Sequence, residues 1–484
     1  MQCSPLLLGI VGQRDIAAAD EPRVADAVRS IVLELRAAYP HTDIVVVSAL
    51  QQRSERVAAD AARAEHAELL TIDEGARLRS AIALPQLLVL VWDGDESRAE
   101  IVDAVNVREG RARLETAKPL EPPDVGPYYQ VVLSAAPAEM PAGPCEIVRR
   151  FPERHAGDGQ SEADFVKALL ALDRYNRDLT RKFGASAAQT LEDAFLQTDE
   201  IAARLQTYTI RWQVALYAVA LFAAAIQVVT PSANWEWKVS AIVLTLFIFI
   251  LAKRSGAQSR YQDYRAIAEA LRVQLAWWNA RIDASVDGAY LRMQQSELQW
   301  IRMLLRGVTF LHRPASLSAA ESQSPPLDLW IGDQRAYFEN ASNREVRRLG
   351  RIMPLAGSLV PCTIVVSLGI GIFLAFWHGD ASLAHRLEFG TGVFAAMGAV
   401  IAALLTSYSR ARMFGENAKR YRRMYLLFDE ARRELHAAVD AKQSAAVREL
   451  ALVLGHEALS EQAEWLLTQR DRPVGIVQTA AAQF

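Results

Sequence analysis

The chain has 484 residues, enough for two or three domains, and its formal net charge of −3 gives no reason to expect a nucleic-acid partner. The three cysteines Cys3, Cys145 and Cys362 are scattered and show no ligand spacing, so the sequence predicts neither a metal site nor a disulfide framework. We expect no secretory signal peptide, because the apolar run Pro5–Val11 lacks a basic flank and a small-residue cleavage site.

Residues 1–135 alternate between apolar runs and amphipathic stretches. Strands are predicted at Leu6–Val11, Ile44–Val47, Leu87–Trp92 and Gln130–Leu133, and helices at Val24–Tyr39 and Arg53–Glu65. This alternation is typical of a parallel sheet with helices on both faces. The sequence therefore predicts an α/β, Rossmann-like N-terminal domain, in which ligands bind at the carboxyl ends of the strands.

Two turns fall at those carboxyl ends: Gly12-Gln13-Arg14-Asp15 and Asp93-Gly94-Asp95. Gly9 and Gly12 would let the backbone approach a phosphate or ribose. Arg14 would pair with a phosphate, and Asp15 would accept a hydrogen bond from a hydroxyl. The residues alone leave an alternative open, in which the first turn only starts a helix.

Several stretches of this region share a family likeness. LLLGIVGQRD resembles the G-V-T-G-H-R-D opening of the SLOG superfamily, relatives of the LOG and DprA nucleotide-binding folds. The likeness continues through HTDIVVVSALQQRSERVAADAA, LVLVWDGD and PLEPPDVGPYYQVV. It implies a nucleotide-derived ligand, such as a cyclic oligonucleotide or an ADP-ribose derivative. The binding residues that it implies are Gly9, Gly12, Gln13, Arg14, Asp15, Ser48, Arg56, Trp92, Asp93 and Gly94.

The sequence also departs from the family pattern. Gln13 replaces the usual His, Arg53 a Gly and Glu55 an Asp. The G-G-T-A expected after the W-D-G turn is replaced by residues 95–99 (DESRA), which removes a phosphate-approach loop. The P-G-G-x-G-T-x-x-E motif of the LOG hydrolases is missing from residues 1–150, and no P-loop or Ser-His-Asp arrangement is visible. We therefore predict no catalytic residues and no cofactor.

A linker is predicted at residues 136–160, on the composition of Pro137–Pro144 (PAEMPAGP). Residues 161–311 are predicted as helices around a first membrane hairpin. Leu191–Ile210 runs without a breaker into Trp212, so it would be either a rigid lever or a plain juxtamembrane stalk. The Trp277-Trp278 pair and Trp300 would lie at the membrane surface or, more commonly, against partner helices.

Four stretches are long and apolar enough to cross a bilayer, at 212–230, 235–252, 354–377 and 387–407. A pair of buried core helices is the alternative for the first two, but their length and basic ends disfavour it. Glycines in the second hairpin would allow close helix approach: Gly369, Gly371, Gly390, Gly392 and Gly398. The sequence thus predicts an all-α membrane module of two hairpins, with a linker at 312–326 and further helices in 327–484, the last at His456–Gln469.

Basic residues flank the spans on one side. They are Arg211, Lys253, Arg254, Arg260, Arg344, Arg347, Arg348, Arg351, Arg410, Arg412, Lys419 and Arg420. Because positive charge marks the cytoplasmic side, both termini and the central segment are expected in the cytoplasm, with the chain in the inner membrane. Ala395, Ala399 and Ala403 form a small-residue face on the fourth span, which predicts a homo-oligomer.

The first hairpin together with YRAIAEALRVQ resembles the SLATT class, two-span membrane proteins associated with SLOG domains. This resemblance implies an effector module of nucleotide-regulated bacterial conflict systems. We therefore expect a sensor and effector that binds a nucleotide second messenger and perturbs the lipid bilayer, in antiviral defence. Two other classes stay open: a membrane-tethered, diverged nucleotide-processing enzyme, and an ordinary channel or transporter.

Overall fold

The computed structural model describes residues 4–72, 78–95, 97–112, 126–133, 144–151, 162–229, 235–289, 299–314, 324–377 and 381–470. The predicted linker Pro137–Pro144 lies outside them except for its last residue, as do residues 119–125 of PLEPPDVGPYYQVV and 315–323 of the second linker. The fold has two parts, an N-terminal α/β part and a mostly helical part that follows it.

The N-terminal part is a six-stranded sheet in the order β3-β2-β1-β4-β5-β6. Its strands are β1 Leu6–Gly12, β2 Ile44–Ser48, β3 Glu68–Thr71, β4 Leu87–Trp92, β5 Tyr128–Val132 and β6 Glu146–Arg150. The first five run parallel, and β6 pairs antiparallel with β5. The mixed α/β sheet confirms the predicted class for this part, and its strand order fits a Rossmann-like arrangement.

Two strands were not predicted. β3 is a short strand at the edge of the sheet, with half-exposed residues and no continuous apolar run. β6 lies inside the segment assigned to the linker 136–160, so that boundary is wrong: the sheet continues to Arg150. β6 was not predicted because it is an edge strand with three charged residues out of five, EIVRR, and mostly exposed side chains.

Helices α1 Glu21–Ala38 and α2 Arg53–Ala64 cover one face of the sheet. On the other face, a π-helical turn Leu78–Ala83 and helix α3 Ala99–Arg108 pack over β4 and β5. The crossovers from β1 to β2 and from β2 to β3 run in one direction along the sheet, and the crossover from β4 to β5 runs in the other. Because both kinds are right-handed, their helices lie on opposite faces.

The rest of the second face is covered by a helix from far along the chain, α9 Gln299–Leu311. Phe310 and Leu311 of α9 pack on Leu7 of β1 and on Val45 and Val47 of β2. Gln86 links β1 to α9 through two hydrogen bonds. Its Oε1 accepts from Leu7 N at 2.6 Å, and its Nε2 donates to Met303 O at 3.0 Å. The sheet and the helical part therefore share one core.

A second junction lies at the amino ends of the strands, where α4 Glu162–Phe183 packs. Asn176 is fully buried, and its Nδ2 donates to Ser4 O at 2.8 Å, just before β1. The Asp173 carboxylate accepts from His41 N at 2.8 Å and from Thr42 Oγ1 at 2.9 Å, just before β2. The helical part therefore attaches at the end of the sheet opposite to the carboxyl ends of its strands.

The remaining helices are α5 Leu191–Val229, α6 Trp235–Arg254, α7 Ala257–Asn279, α8 Val286–Ala289, α10 Ser324–Ala375, α11 Ala381–Ala411, α12 Phe414–Asp440 and α13 Ser444–Arg470. Four apolar windows long enough to cross a membrane lie in α5, α6, α10 and α11, in agreement with the four predicted spans. α6 packs on α5, α5 on α11 and α11 on α10. Only 6–11% of each window is buried within the chain, so most of the apolar surface faces outward.

Of the five glycines predicted to allow close helix approach in the second hairpin, one does so in the structure. A Cβ on Gly398 would lie 2.3 Å from Thr363 Cγ2, so this glycine sets the approach of α11 to α10. The other four glycines of the second hairpin face open space. Two of the three alanines in the predicted oligomer face, Ala399 and Ala403, line a cavity inside the chain.

The tryptophans after the first hairpin pack against partner helices. Trp277 is fully buried, and its Nε1 donates to Ala451 O of α13 at 3.0 Å. Gly455 lies directly against the same indole, since a Cβ there would be 2.2 Å from Trp277 Nε1. Trp300 packs near Tyr175 and Tyr264, with ring centroids 6.4 Å away in each case.

Candidate functional site

The carboxyl ends of β1, β2 and β4 meet at one edge of the sheet, called the carboxyl edge below. The strand order reverses here, because the chain runs from β1 to β2 and β3 on one side and to β4 and β5 on the other. In open α/β sheets, ligands bind at this reversal. All ten predicted site residues except Gly9 end a strand, follow one or start α2 at this edge.

The two glycines of the first turn are required by packing within the chain. A Cβ on Gly9 would lie 2.2 Å from Ala81 O, so Gly9 lets the π-helical turn cross the middle of β1. A Cβ on Gly12 would lie 2.2 Å from Ser54 Oγ, and the same hydroxyl donates to Gln13 O at 2.6 Å. Gly12 therefore lets the first turn of α2 approach the end of β1.

A buried carboxylate occupies the space between β1 and α2. Glu55 is 0% exposed and accepts hydrogen bonds from Gln51 N at 3.0 Å, Gln52 N at 3.4 Å and Gly12 N at 3.4 Å. A glutamate at the third position of a helix commonly caps it in this way. Backbone N–H groups at a strand end and a helix N-terminus are also the donors that bind phosphate in nucleotide sites. Glu55 thus satisfies a cradle of three backbone donors from within the chain.

The second turn is organised by Asp93. Its carboxylate receives two hydrogen bonds from Arg98, from Nε at 3.1 Å and from Nη2 at 2.7 Å, and its backbone N donates to Gln13 Oε1 at 3.1 Å. The hydrogen bonds that Arg98 donates to Asp93 raise the pKa of Arg98. Gly94 has a φ of +88°, which strains any side chain larger than hydrogen. Arg98 thus occupies the carboxylate that would otherwise accept from a ligand hydroxyl.

Two further predicted residues hold the turns. Ser48 is fully buried, and its hydroxyl accepts from Leu50 N at 3.3 Å, where Leu50 takes a φ of +53°. The indole of Trp92 donates to Asp95 O at 3.1 Å. Both side chains fix the backbone of the carboxyl edge from within.

Three charged side chains at the edge remain exposed. Arg14, Asp15 and Arg56 all point to solvent. Within the described residues, neither the Arg14 nor the Arg56 guanidinium makes a hydrogen bond or an ion pair. These two cations are available to an anion, and Asp15 is available to a hydroxyl.

The predicted site residues lie together at the carboxyl edge, but the hydrogen bonds among them were not predicted. Ser54 and Arg98 were not predicted as site residues, and Glu55 was noted only as a departure from the family. One sequence signal pointed to Glu55: Gln52 and Glu55 have the spacing of a capping box. The Arg98–Asp93 pair depends on the path of the loop between them, which no local pattern encodes.

The described residues contain no group of three or more His, Cys, Asp or Glu side chains that could hold a metal ion. Comparisons with family models, with curated proteins and with solved structures find no match for this chain. The carboxyl edge and its connection to the apolar helices are therefore the features of the molecule that bear on function.

Proposed function

We propose that the chain is a SLOG-like sensor fused to a SLATT-like membrane effector, with the N-terminal domain binding a nucleotide-derived anion that alters the four-span module. The observation that carries this proposal is the shared core of the two parts. α9, which follows the first hairpin, completes the second face of the sheet. A ligand that favours one arrangement of the sheet therefore acts on helices that continue into the spans.

The ligand chemistry follows from the exposed groups of the carboxyl edge. Arg14 and Arg56 would bind phosphate oxygens, and Asp15 would accept from a ribose hydroxyl. Since Glu55 fills the backbone cradle, the phosphates would lie outside it, against the two arginines. Cyclic oligonucleotides and ADP-ribose derivatives carry both groups.

The coupling route we propose runs through α4 into α5. α5 is one uninterrupted helix from Leu191 to Val229, as expected for the lever. The Asp199 and Glu200 carboxylates of its first half pair with Arg265 of α7 at 2.6 Å and Lys182 of α4 at 2.8 Å. These pairs join the start of the lever to its neighbours on both sides.

The setting we propose is the bacterial inner membrane, with both termini cytoplasmic, and a role in antiviral defence by membrane perturbation. The exposed apolar surface of the spans supports assembly into a homo-oligomer, because one chain buries so little of it.

Dye release from proteoliposomes containing the full chain tests the function directly. A cyclic oligonucleotide or an ADP-ribose derivative should bind and release the dye. Arg14→Ala should weaken binding by about 1.5–3 kcal/mol, the scale of a hydrogen bond to a charged group. The matched control is Arg174→Ala, which removes an exposed arginine of α4 at the other end of the sheet and should leave binding unchanged.

A Gly-Ser insertion after Thr207 separates sensing from coupling. It should leave ligand binding intact and abolish release, because it interrupts the lever. Release from the insertion variant at the wild-type level would rule out the lever. Failure of every ligand in the panel to bind the full chain would rule out the sensor.

A further inference from the structure

A cavity of about 1140 Å³ lies where the spans meet the extramembrane helices, enclosed by α5, α7, α10, α11, α12 and α13. It is as large as the sites that hold small molecules and cofactors. We call it the arginine cavity, because seven arginines and three glutamates line it and no lysine, histidine or aspartate does. It is separate from the carboxyl edge, which involves none of these helices.

The three glutamates are already paired with arginines. Glu269 pairs with Arg265 at 2.5 Å and with Arg272 at 2.7 Å. Glu461 accepts from Arg420 Nη2 at 2.8 Å. Glu345 forms an ion pair with Arg348. The remaining three lining arginines therefore have no carboxylate within the cavity to neutralise them.

Those three arginines lie outside the predicted spans: Arg344 precedes the third span, and Arg410 and Arg412 follow the fourth. Arg344 and Arg410 make no side-chain hydrogen bond or ion pair within the described part of the chain. Arg412 has one partner, the neutral amide oxygen of Gln213 at 3.5 Å. The net positive charge of the cavity is thus concentrated outside the spans, at the extramembrane end.

Several polar atoms of the lining are buried without a partner, and they are mostly donors. The N–H groups concerned are Gln462 Nε2, Arg412 Nε, Arg420 Nη1 and Trp330 Nε1, and the acceptor is Gln258 Oε1. Arg420 Nε and Glu461 Oε1 also lack a hydrogen bond, but they form an ion pair with each other. Gln462 is only 6% exposed, so its amide nitrogen has little access to bulk water. Buried donors in native proteins nearly always have acceptors. This lining therefore fits a ligand rich in acceptor oxygens and negative charge.

The other end of the cavity is apolar. Leu216 of α5, Ala356 and Val360 of α10 and Ala402 of α11 line it within the apolar windows. A ligand that fills the cavity must therefore present phosphate-like oxygens at one end and hydrocarbon at the other. Basic pockets between membrane helices at the cytoplasmic boundary are known to bind lipid head groups.

We propose that the arginine cavity binds an anionic phospholipid, with the head-group phosphate at Arg412 and Gln462 and the acyl chains along Leu216 and Val360. A soluble phosphate or nucleotide would satisfy the donors but would leave the apolar end empty. A zwitterionic lipid would fill the apolar end but would carry a cation into the group of arginines. The site is distinct from the proposed nucleotide site, so either one can fail without the other.

The test uses the purified full chain in detergent and the shift of its thermal midpoint. The probes are dioctanoyl phosphatidylglycerol, dioctanoyl phosphatidylcholine, inorganic phosphate and adenosine monophosphate. Phosphatidylglycerol should raise the midpoint saturably, and phosphatidylcholine should not. Any shift caused by phosphate or adenosine monophosphate should be the same in Gln462→Leu as in the wild type, because it would arise at the carboxyl edge. Arg412→Gln and Gln462→Leu should each raise the apparent Kd for phosphatidylglycerol at least tenfold.

The matched control is Arg423→Gln, which removes an exposed arginine of α12 that does not line the cavity. It should change the apparent Kd less than threefold. Native mass spectrometry gives a second readout: phosphatidylglycerol should stay bound to the wild type and be lost from Gln462→Leu, even if Arg412→Gln does not fold. Equal stabilisation by phosphatidylcholine, or equal weakening in Arg423→Gln, overturns the proposal. Stabilisation by phosphate or adenosine monophosphate that is lost in Gln462→Leu, without stabilisation by phosphatidylglycerol, overturns it in favour of a soluble anion.

Discussion

Replacing Glu55 by alanine should destabilise the N-terminal domain and at the same time create an anion site. The substitution removes the acceptor of three backbone N–H groups, one at 3.0 Å and two at 3.4 Å. The shorter bond is worth about 1.5–3 kcal/mol, and the two longer ones add little. We expect a loss of about 2–3 kcal/mol, which corresponds to a fall in midpoint of roughly 4–12 °C for a domain of this size.

Phosphate should reverse that loss, because the vacated cradle presents its donors at a helix N-terminus. For a Kd of about 1 mM, 50 mM phosphate would stabilise the variant by about 2.3 kcal/mol. The wild type should not respond, since Glu55 already fills the cradle. Sulfate should act like phosphate, and chloride at equal ionic strength should not.

The assay is scanning fluorimetry of the full chain in detergent, with hydrogen exchange of the Gly12 and Gln52 amides as the local readout. Asp193→Ala is the matched control. Asp193 accepts from Thr190 N at 3.1 Å at the start of α5, so its loss also removes a helix-capping carboxylate, but away from the sheet. The proposed anion site in Glu55→Ala is ruled out if phosphate stabilises this variant no more than chloride does. It is also ruled out if phosphate raises the stability of Asp193→Ala by the same amount.

Three further predictions concern packing, pH and topology. Gly455→Ala should destabilise the chain by about 1–3 kcal/mol in thermal unfolding, because the added methyl displaces the buried Trp277. Gly350 faces open space, so Gly350→Ala should be neutral or stabilising, and a neutral Gly455→Ala would contradict the packing. Burial raises the pKa of Asp287, but Arg306 at 2.9 Å outweighs this effect and holds that pKa below its usual value. The pair should therefore stabilise the α9 junction above about pH 4 and lose that effect as the pH falls through the lowered pKa. Asp287→Asn should flatten the acid limb of the plot of unfolding free energy against pH, and an unchanged limb would count against the pair. Cysteine introduced at residue 320, with the three native cysteines replaced, should react with a maleimide only from the cytoplasmic side, and periplasmic labelling would reverse the topology.

The sequence predicted the elements well and the contacts poorly, for physical reasons. LLVLVW is strand β4 over its full predicted length, because a buried parallel strand needs a continuous apolar run. The four spans were equally visible, since crossing a bilayer imposes length and composition together. β6 and β3 lie at the sheet edges, where half-exposed side chains erase the pattern.

Contacts across long separations carried no local signal. Gln86 and Met303 are hydrogen-bonded although more than 200 positions separate them, and each lies in an unremarkable stretch. The bonds that Glu55 and Arg98 make at the carboxyl edge depend on loop paths that a linear pattern does not contain. The ends of the strands located the candidate site, but not which of its groups are already satisfied from within.

The sheet is completed by a helix that the ribosome makes long after the strands that this helix covers. The part of the second face formed by Leu7, Val45 and Val47 stays bare until α9 has been synthesised, about 240 residues after β3, which takes roughly 12–48 s at ordinary translation rates. During that time the first membrane hairpin is made, while Leu7, Val45 and Val47 lie uncovered. The nascent domain must therefore be shielded until α9 has been made, and a product truncated after β6 should aggregate rather than persist as a free soluble domain.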